Sequence, residues 1–76
     1  MSPELVRKAI SSQGSPVIKH VRTGNMYRLL EITPVKINDE WVDVAHFSGS
    51  TGKFGRLLDN FEGFEYLFND INMPIK

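Results

Sequence analysis

The chain has no cysteine, which excludes disulfide staples and thiolate metal sites and fits the reducing conditions of a cytoplasm. It also lacks an excess of charge of either sign, since nine Lys and Arg offset nine Asp and Glu. The whole-molecule field that drives non-specific binding to nucleic acid is therefore missing. No apolar run comes near the length of a membrane span, and Met1-Ser2-Pro3-Glu4 has neither the basic start nor the apolar stretch of a secretory leader. The expectation is a soluble, cytoplasmic protein without membrane contact.

Signatures of chemistry are lacking as well. Gly-x-Ser-x-Gly does not occur, so there is no nucleophile elbow. His20 and His46 are the two histidines; they lie far apart and neither has a helical HxxxH partner, so no metal site is expected. Gly49-Ser50-Thr51-Gly52-Lys53 superficially matches a phosphate-binding loop, but two residues separate its glycines where four are needed, and Phe54 stands where Ser or Thr should follow the lysine. That segment reads as an exposed, mobile loop between strands. No catalytic residue, cofactor or metal is expected, and the chain is read as a non-enzyme.

What is present fits one small domain over 1–76. With 76 residues, five Phe, two Tyr and one Trp, the aromatic side chains supply the buried area that so short a chain needs. Ser2-Pro3 reads as an N-cap followed by proline at the first helical position. Leu5, Val6, Ala9 and Ile10 then form one stripe, which predicts a helix over 3–11. Gly14 and Pro16 end it and begin an extended segment. Val17 to Arg22 and Met26 to Thr33 flank Thr23-Gly24-Asn25 as a hairpin. In its second arm Met26, Arg28, Leu30 and Ile32 share one face, Tyr27 and Leu29 the other.

Pro34 marks an end or an edge. Val35 to Ile37 and Glu40 to Phe47 flank Asn38-Asp39 as a second tight hairpin, with Trp41, Ala45 and Phe47 on one face. Lys53 to Leu58 reads as the last strand. Behind Asp59 as N-cap, Phe61, Phe64, Leu67, Phe68 and Ile71 recur at helical spacing, which predicts a helix or helical turns over 59–71. The fold class expected is mainly β (α+β). It is a small SH3-like antiparallel barrel or curled meander of four to five strands, with its β core at 17–58, an N-terminal helix and a C-terminal aromatic helix.

His20-Val21-Arg22-Thr23-Gly24-Asn25-Met26-Tyr27-Arg28-Leu29-Leu30 resembles the opening of a family of small bacterial and phage proteins of unknown function, which begin with a basic-His…Gly-x-x-Tyr pattern. Val44-Ala45-His46-Phe47, Phe54-Gly55-Arg56-Leu57 and Phe61 follow in the family's order, so the resemblance spans residues 19–61. This chain departs from the pattern with Leu57 in place of a proline, with Phe47-Ser48 in place of Tyr-Arg, and with no Tyr before His20. The resemblance implies an SH3-like β fold and a microbial or phage setting. It implies no reaction.

Without site chemistry, a small neutral domain acts by presenting a surface. A protein-interaction module is expected, in a phage setting one that acts on a host protein. The alternative is a small nucleic-acid-binding barrel built on Lys19, His20, Arg22, Tyr27, Arg28, Lys53, Phe54 and Arg56. The uneven charge distribution bears on that alternative: residues 1–36 carry six basic and two acidic side chains, residues 37–76 three basic and seven acidic. The candidate binding residues are Arg22, Tyr27, Arg28, Trp41, Phe54 and Arg56, aromatic and arginine types that anchor interfaces. For Trp41 the competing expectation is a core indole.

Overall fold

A computed structural model of the chain describes residues 1–71. Ser2 accepts a hydrogen bond on Oγ from the Leu5 N–H at 3.1 Å and so caps α1, Pro3–Ser11, whose Val6 and Ala9 are buried. The expected bounds of this helix are met. Gly14 then turns the chain at φ +93°, in a space where a Cβ would lie 2.7 Å from Cγ2 of Ile71. Glycine is the residue that fits both the angle and the gap.

Five strands follow: β1 Ser15–His20, β2 Met26–Ile37, β3 Glu40–Gly49, β4 Gly52–Leu57 and β5 Phe64–Asp70. They form one antiparallel sheet in the order β4-β3-β2-β1-β5. The fold is mainly β, with a single α-helix among the described residues. Val6 of α1 packs with Ile18, Leu29, Ala45, Phe47, Leu58, Phe61 and Phe64 to form the core. No helix among the described residues is long and apolar enough to cross a membrane.

The expected C-terminal helix over 59–71 is not formed. Leu58–Asn60 makes a single 3-10 turn with no side-chain cap, so Asp59 is not an N-cap, and Phe64–Asp70 is a strand paired with β1. Two features favour the strand. Gly63 breaks the helical stripe, and Phe64 and Tyr66 alternate with Glu65, which sends the rings inward toward Ile18 and the carboxylate outward. Without β5 one edge of β1 would be left unpaired in the sheet.

Two details of β2 also differ from expectation. The pairing with β3 slips between Leu29 and Glu31, so Leu30 is an extra residue and the alternation reverses across it. Leu29 and Ile32 therefore both face the core, and Ile32 does not share a face with Met26. Pro34 does not end the strand or separate it from Val35, since it pairs with Asp43 inside β2; of the two expectations for it, the edge is the one met. It is accommodated because β1 covers β2 only from Met26 to Arg28, which leaves the flank at Pro34 without a strand whose carbonyl would need a donor. The hairpin at Asn38-Asp39 forms as expected, with both residues at positive φ.

Candidate functional site

The first hairpin turn is tied down at both ends. The His20 N–H donates to the Asn25 carbonyl at 2.8 Å, the Gly24 N–H to the His20 carbonyl at 2.7 Å, and the Val21 N–H to the Gly63 carbonyl at 3.0 Å. The last of these joins the turn to the segment that opens β5. His20 Nδ1 shares a hydrogen bond of 2.9 Å with Thr23 Oγ1, which fixes its ring 4.9 Å from that of its cross-strand partner Phe64.

Tyr27 enters from β2. Its ring meets Phe47 edge-on at 5.2 Å and Phe54 at 5.9 Å, while Phe47 lies 5.6 Å from both Phe54 and Phe64. These separations fall within the range in which aromatic pairs attract beyond their buried area. Arg56 of β4 completes the arrangement. Its Cζ lies 5.2 Å from the centroid of the Phe64 ring, and its Nη1 donates to the Asn60 carbonyl at 3.2 Å. Together His20, Tyr27, Phe47, Phe54, Arg56 and Phe64, with Gly55, line an open cleft of about 270 Å³. No carboxylate among the described residues lines it.

Three of the expected binding residues, Tyr27, Phe54 and Arg56, thus share one site. The other three lie elsewhere. Arg28 faces the opposite side of the sheet, where it pairs with Asp70 at 3.8 Å. Arg22 sits exposed in the turn after β1. Trp41 is not a core residue: it is 69 % exposed near the tip of the second hairpin, beside the Arg7–Asp43 ion pair. Phe47 and Phe64 belong to the cleft although the sequence reading did not place them there. Phe64 also fits a helical stripe, and only its pairing with His20 puts it on the sheet.

His46 shares a hydrogen bond of 2.7 Å with Thr33 Oγ1 on the other face, away from His20. Among the described residues no cluster of three or more His, Cys, Asp or Glu is placed to hold a metal ion. Gly49-Ser50-Thr51-Gly52 forms the tight turn between β3 and β4, with Ser50 and Thr51 exposed at its tip.

Gly49, outside the lining of the aromatic cleft, leaves room for the Tyr27 ring. A Cβ at this position would lie 2.6 Å from Tyr27 Cδ1 and 2.8 Å from Cε1. Gly49→Ala is therefore expected to push the Tyr27 ring off Phe47 and Phe54 and to cost about 1–3 kcal/mol, as overpacking does. A fall in the urea midpoint together with a weaker near-ultraviolet circular dichroism signal would show it; an unchanged aromatic signal would not fit.

No family model, curated protein or solved structure matches the chain.

Proposed function

We propose that this chain is a non-enzymatic binding module that holds a segment of a partner protein in the aromatic cleft of a small SH3-like barrel. The barrel reading is supported by the strand order, by the bulge that bends the long β2 between two halves of the sheet, and by the 3-10 turn that takes the chain from the β4 edge to β5. The long side chain of Arg56 reaches from β4 to the Phe64 ring of β5 across the cleft, while the two strands remain the unpaired edges of the sheet.

The observation that carries the function is the convergence of rings on a cleft that stays open. A purely structural cluster would close over itself, whereas Phe54 is 40 % exposed and Tyr27 is half-buried, so ring edges and an arginine meet solvent together. These are the side-chain types that anchor protein interfaces. Fold alone assigns no function. The resemblance over residues 19–61 adds a microbial or phage setting, in which the partner is a host protein.

Single-stranded nucleic acid is the second reading, favoured by a lining without a carboxylate among the described residues and by rings on which bases stack. The zero net charge weighs toward protein.

Selection of linear peptides from a random display library separates the two. Bound peptides are expected to shift the amide resonances of Tyr27, Phe54 and Arg56. Phe54→Ala and Arg56→Ala are each expected to weaken binding at least about tenfold, a loss of ~1.4 kcal/mol, in variants that still melt cooperatively. Peptides that bind both variants normally would remove the cleft from consideration. A single-stranded oligonucleotide as the sole ligand, with affinity falling steeply with salt, would replace protein by nucleic acid.

A further inference from the structure

We infer that the partner segment binds as an added strand on the free edge of β4, and that it is acidic. This rests on the protein-binding reading above and specifies its geometry and chemistry. β4 ends the sheet, with β3 as its one neighbour, and among the described residues no other backbone group hydrogen-bonds to it. All six of its residues are exposed. Natural edges are blunted by proline, bulges, a covering element or charged side chains. β4 contains no proline, its pairing with β3 runs from Gly49–Gly52 to Val44–Leu57 without a slip, and its defence against indiscriminate pairing is the charge of Lys53 and Arg56.

Clefts flank this edge on both faces. Phe54 pairs with Phe47 and points with Arg56 into the aromatic cleft, while Gly55 pairs with His46 on the other side. There a second cleft of about 360 Å³ is lined by Leu30, Glu31, His46 and Lys53. Phe54 and Gly55 border both clefts. An extended segment lying along β4 sends alternate side chains to opposite faces, so one parity enters the ring cleft and the other meets Lys53 and His46. Backbone bonds to β4 supply affinity in this mode, and the alternating pockets supply selectivity.

Charge decides the occupant. The ionised side chains of β4 are Lys53 and Arg56, one on each face, with no carboxylate on the strand. A second copy pairing β4 with β4 would gather two lysines and two arginines along one edge, answered only by the Glu31 of each copy in the Lys53 cleft, so cations would remain in excess. A partner strand with Asp or Glu and an aromatic or branched aliphatic residue on the ring-cleft face, where Arg56 has no carboxylate beside it among the described residues, and a further acidic residue placed toward Lys53 rather than Glu31, is the complementary match.

The test uses linear peptides selected from the random library on the full chain. The selected peptides are expected to be enriched in Asp and Glu. Their binding is expected to slow exchange at least about tenfold at those Lys53–Leu57 amides that do not bond to β3. N-methylation of peptide residues of one parity should abolish binding and of the other parity leave it, because only alternate N–H groups face β4. Lys53→Glu is expected to weaken acidic peptides about tenfold at low salt. Peptides that lose affinity on Phe54→Ala yet leave β4 exchange unchanged, or tolerate N-methylation at every position, would overturn strand addition while the protein-binding reading stands. Selection that enriches no peptide would overturn both.

Discussion

Phe61→Ala is expected to remove roughly a third or more of the protein's stability. Phe61 has no exposed surface and sits where three parts of the chain meet. It belongs to the core cluster that joins Val6 of α1 to the sheet residues, its ring lies 5.8 Å from Phe47 and 5.1 Å from Phe64, and its carbonyl accepts from the Met1 nitrogen at 2.8 Å and the Phe64 N–H at 3.0 Å. Truncating a buried Phe costs about 3–5 kcal/mol, from lost burial and from the cavity left behind. A chain of 76 residues has roughly 4–11 kcal/mol to lose. The expected drop in Tm is about 12–40 °C, since each kcal/mol shifts a domain of this size by several degrees. Phe61→Leu fills more of the space and should cost less than the alanine variant. Equal losses for the two would mean that cavity volume is not what Phe61 controls.

The position of Phe61 shows which parts of this fold were legible in the sequence. α1 was, because its information is local: Ser2, Pro3 and the Val6–Ala9 stripe specify start, direction and buried face within a few residues. The Asn38-Asp39 turn was legible for the same reason, as two residues that tolerate positive φ between β-type runs. β5 was not. Phe61, Phe64, Leu67, Phe68 and Ile71 fit a helical stripe, while Phe64 and Tyr66 also fit alternation, and only the open flank of β1, distant in sequence, decides between the periods. The Leu30 bulge was hidden similarly, because an extra residue in β2 is defined by its register against β3.

The candidate site divides along the same line. Tyr27, Phe54 and Arg56 were visible as aromatic and basic residues on strands, and the sheet does bring them together. Arg22, Arg28 and Trp41 have the same composition but different neighbours: a turn, an ion pair with Asp70 and a protruding hairpin. Residue type marks a possible anchor; strand parity and register decide which anchors share a cleft. Phe47 could be assigned to a face, yet its place beneath Tyr27 and Phe54 needs the β2–β3–β4 register.

Asn69→Ala carries the second large expected effect, and it too depends on an element that sequence periodicity misassigned. The Asn69 Nδ2 group donates to the Ala9 carbonyl at 3.1 Å and to the Gln13 carbonyl at 3.2 Å, and its Oδ1 accepts from the Tyr66 hydroxyl. One side chain on β5 thus clasps the end of α1 and the segment after it. Among the described residues, Arg7 with Asp43 is another polar tie of the helix to the sheet, but it is exposed, and exposed ion pairs contribute little; the Met1 nitrogen, which donates to the Phe64 carbonyl at 2.9 Å, holds the opposite end of α1. Losing three bonds at a partly buried site, each worth about 0.5–1.5 kcal/mol, should cost about 2–3 kcal/mol once water re-bonds part of what is freed. That corresponds to a Tm lower by roughly 8–24 °C. Amide exchange in α1 should accelerate more than exchange in β2 and β3, because the helix loses its clasp while those strands keep their ladders. Asn69→Asp retains the acceptor for Tyr66 but sets a carboxylate against two carbonyl oxygens, so it should destabilise at least as much as alanine. If Asn69→Asp matched the parent protein in stability, the two bonds from Nδ2 would not be what holds α1 against β5.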